Sequence, residues 1–256
     1  MSEEKKQMHI HLSSKDKAKY VFVPGSPDRC EKIAKHLDNA KFIAQHREYT
    51  TYEGYLEGEK VLVCSTGIGG PSAAIAMEEL HKIGVDTFIR IGTCASTSTN
   101  VEKGDVVIPN GVVRMEGTGT HYLPIEFPAV PTYSIVRHLE EAAITKGFEP
   151  KIGVNITKDS FYTQTEPETK PVGYDLINRW QAYIAGGAES TSMESATLFT
   201  VGASLGVRVA TVLVSATDVG TTNRTSGYPI DVEGRVIEVG IEGMRNVIKA
   251  DKTNQS

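Results

Sequence analysis

The chain is 256 residues long, 39% hydrophobic and 23% charged, with a formal net charge of -5. That length fits one large α/β domain or two small ones. The acidic balance, with no clustered Lys/Arg tract, argues against a general binder of nucleic acid or membrane surfaces. The opening MSEEKKQMHIHLSSKDK is charged and lacks an apolar core, unlike a signal peptide. No apolar run approaches the roughly 20 residues of a membrane span. Three cysteines with no C-x-x-C pair fit a reducing compartment, and a cytoplasmic location is expected.

Residues 20–23 (YVFV) read as a short strand, broken by Pro24-Gly25-Ser26-Pro27. Ser26 is the expected N-cap and Pro27 the first residue of a helix whose Ile33, Ala34 and Leu37 share a face. Residues 60–65 read as a second buried strand. The stretch VCSTGIGGPSAAIAMEEL, residues 63–80, then turns through glycines into a helix that Pro71 opens and Gly84 stops. Further strands are expected at 87–91, 105–113, 151–156 and 207–215, and helices at 133–146, 194–205 and 232–248. Strands alternating with helices predict an α/β fold around a mixed, largely buried sheet in one domain. Residues 163–192 are the least regular, and a loop that long is either disordered or functional, such as a lid.

The glycine turn is not a dinucleotide fingerprint, because G-x-G-x-x-G needs a glycine where Ser72 stands. Gly202-Ala-Ser-Leu-Gly206 matches G-x-S-x-G, but the residues before it read as helix, not strand. Ser204 is therefore expected near a helix end and not at a nucleophile elbow. His9-Ile10-His11 offers two metal ligands if it lies on a strand, with no acidic or cysteine pattern beside it. Three arginines carry more. Arg29 sits in the first turn of a helix, Arg47 in HREYTT, and Arg90 inside an apolar strand. A buried arginine is costly unless it meets an anion, and its planar fork suits phosphate oxygens. Backbone N–H groups around Gly25, beside a helix N-terminus, add donors. The residues alone point to a phosphate-like anion, with surface ion pairs as the alternative for Arg29 and Arg47.

VPGSPDR, QHREYTT, VCSTGIGGPSAAIAMEEL, FIRIGT, KGDVVI, EFPAV, DSFY and MESATL follow one another along the chain. Together they resemble the nucleoside phosphorylase family, most closely its uridine-cleaving members. The resemblance implies a single-domain α/β fold, a mixed sheet flanked by helices, and a homo-hexamer with active sites shared across dimers. It implies a pentosyltransferase that cleaves a nucleoside reversibly with inorganic phosphate, giving free base and ribose-1-phosphate. Catalytic roles fall on Arg90, Glu194 and Asp218. Gly25, Arg29, Arg90 and Thr93 match phosphate positions, and Arg47 matches an arginine lent by a neighbouring subunit. His9, Ile68, Met193 and Glu194 match ribose positions, and Cys94, Ala95, Phe161 and Gln164 match base positions. No cofactor is implied beyond phosphate as co-substrate, apart from a monovalent cation such as potassium at Glu48, Ile68 and Ser72. Residues 1–8 and 251–256 are expected to be flexible.

The base-reading stretch departs from the family pattern. Gln164 is present, but no arginine follows where uridine-cleaving members have one, which leaves Lys170 or Arg179 to substitute. Ser215-Ala-Thr-Asp218 is similar to the Ser-Asp of purine-cleaving members, where a partly buried Asp218 would act as general acid. Asn223-Arg224-Thr225 is similar to a motif of the pyrimidine-cleaving members if residues are inserted before it. A pyrimidine nucleoside is thus the leading substrate. Purine phosphorolysis, hydrolytic nucleoside cleavage and non-catalytic nucleoside binding remain as alternatives.

Overall fold

The computed structural model describes residues 5–217 and 230–254. Its strands are β1 (Tyr20–Phe22), β2 (Asp38–His46), β3 (Tyr49–Leu56), β4 (Glu59–Cys64), β5 (Thr87–Ser96), β6 (Val106–Met115), β7 (Lys151–Lys158), β8 (Ala188–Ser192) and β9 (Arg208–Ser215). Its helices are α1 (Pro27–Ala34), α2 (Gly70–Lys82), α3 (Tyr133–Thr145), α4 (Tyr162–Thr165), α5 (Gly173–Ala185), α6 (Ser195–Leu205) and α7 (Ile230–Thr253). The strands form one nine-stranded mixed sheet in the order β2-β3-β4-β1-β5-β8-β7-β6-β9. An added β5–β9 pairing closes the last five into a ring.

Successive side chains of a strand point to opposite faces, and here helices cover both. Phe22, Val63, Ile89, Ile91 and Val212 pack with Ile33 of α1, Leu139 of α3 and Met244 of α7. Val21, Leu62, Phe88 and Val209 pack on the other side with Met77 of α2 and Leu198 of α6. Burial on both faces explains why these strands read as unbroken apolar runs. Each strand and helix expected from those runs is present, with shifted ends. Ser204 lies in α6, and Gly206 is its left-handed C-cap at φ 68°.

Two expectations are corrected, and one stretch that carried none proves ordered. Residues 38–56 form the antiparallel hairpin β2–β3, turning at Arg47 with φ 54°. β2 is an exposed edge strand, so DNAKFIAQH shows no apolar alternation. Residues 163–192 are not a long loop: they hold most of α4, all of α5 and all of β8. β8 reads AESTS yet is buried, because its hydroxyls are satisfied inside the ring. Asn155 Nδ2 donates to Ser190 Oγ at 2.9 Å, Thr191 Oγ1 to the Ile156 carbonyl at 2.9 Å, and Ser192 Oγ to Asn155 Oδ1 at 2.8 Å. Finally, residues 251–253 are not a flexible tail but the last turn of α7. Asp251 there accepts hydrogen bonds from Arg208 at 2.6 and 2.8 Å and from the Tyr20 hydroxyl at 2.9 Å. No helix among the described residues is long and apolar enough to cross a membrane.

Candidate active site

β1 pairs in parallel with both β4 and β5, so the turns that follow β1 and β4 meet at one edge of the sheet. In open α/β sheets that edge is where ligands bind. The turn after β1 opens α1 and the turn after β4 opens α2. The Thr66 N–H donates to the Pro24 carbonyl at 2.9 Å and ties the two turns together.

Arg90 lies on β5 with Phe88 and Gly92 on the same face, following the two-residue period of a strand. Gly92 leaves room for the guanidinium to fold back, since a Cβ there would overlap Arg90 Nη1. Arg90 is 4% exposed, and its Nη2 donates to Glu194 Oε2 in a buried ion pair. Its Nε and Nη1 are buried and find no hydrogen-bond partner among the described residues. Buried cationic donors left unsatisfied are costly, so the arrangement favours an anion alongside.

β8 runs antiparallel to β5, with Ala95 opposite Thr191, so the chain leaving Ser192 turns back along β5. That turn delivers Glu194, the N-cap residue of α6, to Arg90. Glu194 Oε1 accepts the Gly69 N–H at 3.0 Å, and Oε2 accepts the Met193 N–H at 3.3 Å. Gly69 caps α2 at φ 95°, a backbone conformation that side-chain-bearing residues avoid. The N-termini of α2 and α6 thus converge on one carboxylate. Their dipoles add positive potential to the charge of Arg90.

Arg29, in the first turn of α1, is 8% exposed. Its Nη1 donates to the Ile91 carbonyl at 3.2 Å, beside Arg90 on β5, and its Nε donates to Glu233 of α7 at 2.7 Å. Lys32 pairs with the same carboxylate. Burial opposes the charge of Glu233, yet the hydrogen bonds from Lys32 and Arg29 hold its carboxyl below the usual range. Arg29 therefore does form an ion pair, but a buried one next to the site. Gly25 sits against the cluster: a Cβ there would lie 3.2 Å from the Gly67 carbonyl oxygen and 3.9 Å from Arg90 Nη2. Thr93 is half-buried further along β5. Arg47 is exposed at the β2–β3 turn, while its neighbour Glu48 packs against Gly67.

His9 lies in a turn and His11 just after it, neither on a strand, so the strand geometry that a two-ligand reading required is absent. His9 Nδ1 meets Glu79 Oε1 of α2 at 2.7 Å, and the N–H groups of His9 and Ile10 donate to Glu79 Oε2 at 2.9 Å each. The His11 ring stacks on His46 with centroids 3.8 Å apart. Among the described residues no group of three His, Cys, Asp or Glu side chains is arranged to hold a metal ion.

Ile68 is 78% exposed on the turn before α2, and Met193 is half-buried beside Glu194. Cys94 and Ala95 belong to β5 itself, opposite Ser215 and Thr191 respectively. Phe161 and Gln164 are half-buried at α4. Gln164 lines a cavity of about 120 Å³ with Met115, Leu176 and Trp180. Lys170 pairs with Glu166 at 4.0 Å and the exposed Arg179 with Asp175 at 3.0 Å, each one turn along its own segment. Asp218 and Arg224 lie outside the described residues. Sequence reasoning missed Gly92, Glu79 and Glu233. Gly92 had a signal, a glycine two residues after a buried strand arginine, whereas the two glutamates had none.

The segment carrying these features is the one that known proteins share. The phosphorylase superfamily profile matches residues 19–246. The chain is 40% identical over 249 residues to the uridine phosphorylase of Treponema pallidum, covering 96% of this chain and 95% of that protein. It is 38% identical over 251 residues to the uridine phosphorylase of Escherichia coli, covering 94% and 97%. A guanosine phosphorylase of Halorubrum lacusprofundi is 34% identical over 207 residues, 81% of each chain. With Arg90, Glu194 and both helix N-termini inside the matched span, the chain belongs to the phosphorylase superfamily.

Proposed function

We propose that the protein is a pentosyltransferase of uridine phosphorylase type, converting uridine and inorganic phosphate reversibly into uracil and ribose-1-phosphate. The observation that carries this reading is Arg90, buried and paired on one edge with Glu194. Its Nε and Nη1 have no partner among the described residues. Phosphate held there would draw further donors from Gly25, Arg29 and Thr93, with Arg47 supplied by a neighbouring subunit.

In the reaction a phosphate oxygen forms a bond to C1′ as the bond from C1′ to the base nitrogen breaks. The bonding pair leaves with the base, which takes up a proton, and the sugar passes through an oxocarbenium-like state. The protein's work is to hold the anion below the sugar and to absorb charge on the departing base. Glu194 accepts from ribose hydroxyls, with Ile68 and Met193 around the sugar and His9 reaching the ribose held by the adjacent subunit. Cys94, Ala95, Phe161 and Gln164 border the base, and Asp218 is the proton donor. A hydrolase would have little use for the spare donors of Arg90. Purine cleavage is the second reading, favoured by the similarity to a guanosine phosphorylase and by the missing arginine after Gln164.

The family resemblance implies a homo-hexamer in which dimers share active sites, and the exposed Ile68 and Arg47 are available to a neighbouring subunit. Ser72 Oγ lies 3.4 Å from the Ile68 carbonyl oxygen, and the aliphatic part of Glu48 packs against the preceding Gly67. A potassium ion there would take these two oxygens, with Glu48 and a partner subunit supplying the rest of its shell. The whole chain acts as one domain, and its three buried cysteines suit the cytoplasm.

The test is to incubate the pure protein with uridine, thymidine, inosine or adenosine, with and without phosphate. Uracil release that requires phosphate is the expected result. Release without phosphate would overturn the reading in favour of a hydrolase, and cleavage of inosine alone would favour the purine enzyme. Binding of a nucleoside without turnover would leave only a binding protein.

A further inference from the structure

Lys158 ends β7 and is 5% exposed, although lysine is among the residues least often buried. Strand register places it opposite Met115 of β6 and places Thr157 opposite Ser192, next to Met193 and Glu194. Its Nζ lies 2.9 Å from Thr191 Oγ1 and 5.9 Å from the centroid of the Trp180 ring. Thr191 pairs with Ala95 on β5, and Trp180 lines the cavity of about 120 Å³ with Met115 and Gln164. A buried ammonium therefore stands where β5, β7, β8 and α5 meet, among the residues that border the base in the proposed site.

We propose that Lys158 selects the base: its ammonium donates to the carbonyl oxygen that a keto base carries where an amino base carries its exocyclic NH2 (O4 of uracil, O6 of hypoxanthine), and stabilises the charge that the base acquires as it leaves. This rests on the phosphorylase reading above. When the bond from C1′ to the ring nitrogen breaks, the electron pair moves onto that nitrogen and spreads to the carbonyl oxygens of a keto base. An ammonium has donors and no acceptor, so it matches a carbonyl oxygen and opposes an exocyclic amino group in the same place. Such a mismatch leaves buried polar groups unpaired, which is how a site rejects the wrong substrate strongly. Uracil and hypoxanthine are therefore favoured over cytosine and adenine. Lys158 is the buried cation beside this cavity, whereas Lys170 and Arg179 form surface i,i+4 pairs with Glu166 and Asp175.

The test is steady-state kinetics of the wild-type protein and Lys158→Met with uridine, cytidine, inosine and adenosine at saturating phosphate. kcat/KM for the keto nucleosides is expected to fall about tenfold or more, with KM for phosphate unchanged. The ratio of keto to amino activity should fall by a similar factor, and Lys158→Arg, which keeps the charge, should recover part of it. Phosphate-dependent wild-type turnover whose keto-to-amino ratio survives Lys158→Met overturns the proposal and leaves the phosphorylase reading standing. If the wild type shows no phosphate-dependent turnover, that reading fails, and calorimetry with uracil and cytosine decides on Lys158. A uracil preference lost in Lys158→Met then supports it, and the absence of any preference overturns it. Should Lys158→Met fail to fold, Lys158→Gln, which keeps a donor without the charge, is judged by the same ratios.

Discussion

Gly92 decides where Arg90 points. The two residues share a face of β5, and the guanidinium occupies the space that any larger side chain at 92 would fill. Gly92→Ala must push the guanidinium away from Glu194 or shift the strand, and overpacking of this kind costs about 1–3 kcal/mol. We expect a lower melting temperature and a KM for phosphate raised by about tenfold or more, as for loss of a charge-assisted hydrogen bond. Equal KM values for the variant and the wild type would show that the anion does not depend on the position of Arg90. The need for an anion near Arg90 was legible from a charged residue in an apolar run. Its pairing with Glu194, 104 residues away, was not, because nothing local to either residue encodes it.

At the scale of elements, α2 does two jobs: its N-terminus faces Glu194, and Glu79 near its other end pins the turn at His9 and Ile10. Burial opposes the charge of Glu79, but hydrogen bonds from Ile10 and His9 outweigh it and hold the carboxyl below its usual range. A depressed carboxyl stabilises the fold above its unfolded value, and that contribution is lost as pH falls through the folded value. Glu79→Gln should therefore speed amide hydrogen exchange at His9 and Ile10 about tenfold at neutral pH. Exchange in the variant should also be less sensitive to acid than in the wild type. Unchanged exchange at neutral pH would mean that the turn is held by other contacts. Elements legible in the sequence were those with apolar faces, such as β5, β9 and α6. The exposed edge strand β2 and the polar β8 lacked that signal, and β8 becomes intelligible only once Asn155 and Ile156 are seen beside it.

Across the whole molecule, Asp251 joins the end of α7 to β9 through Arg208, to β1 through Tyr20, and to Lys19. Burial opposes its charge, yet hydrogen bonds from Arg208, Lys19 and Tyr20 hold the carboxyl well below the usual range. Asp251→Asn should cost about 1.5–3 kcal/mol at neutral pH, as for hydrogen bonds to a charged group. Stability from the carboxylate is present above its unfolded value and fades as pH drops below it. The melting temperatures of wild type and variant should therefore differ at pH 7 and converge in strong acid. A constant difference across that range would show that Asp251 acts by packing and not by charge. The sequence by itself determined the order of the apolar strands and helices, the proline and glycine stops, and an anion-seeking arginine near a strand end. These follow from periodicity and steric preference among neighbouring residues. Only the tertiary structure decided that Arg90 faces Glu194, that Arg29 faces Glu233 and that Lys158 lies beside Thr191. Those pairs form when packing of both sheet faces brings distant segments together, and burial then makes each unsatisfied charge costly enough to fix its partner.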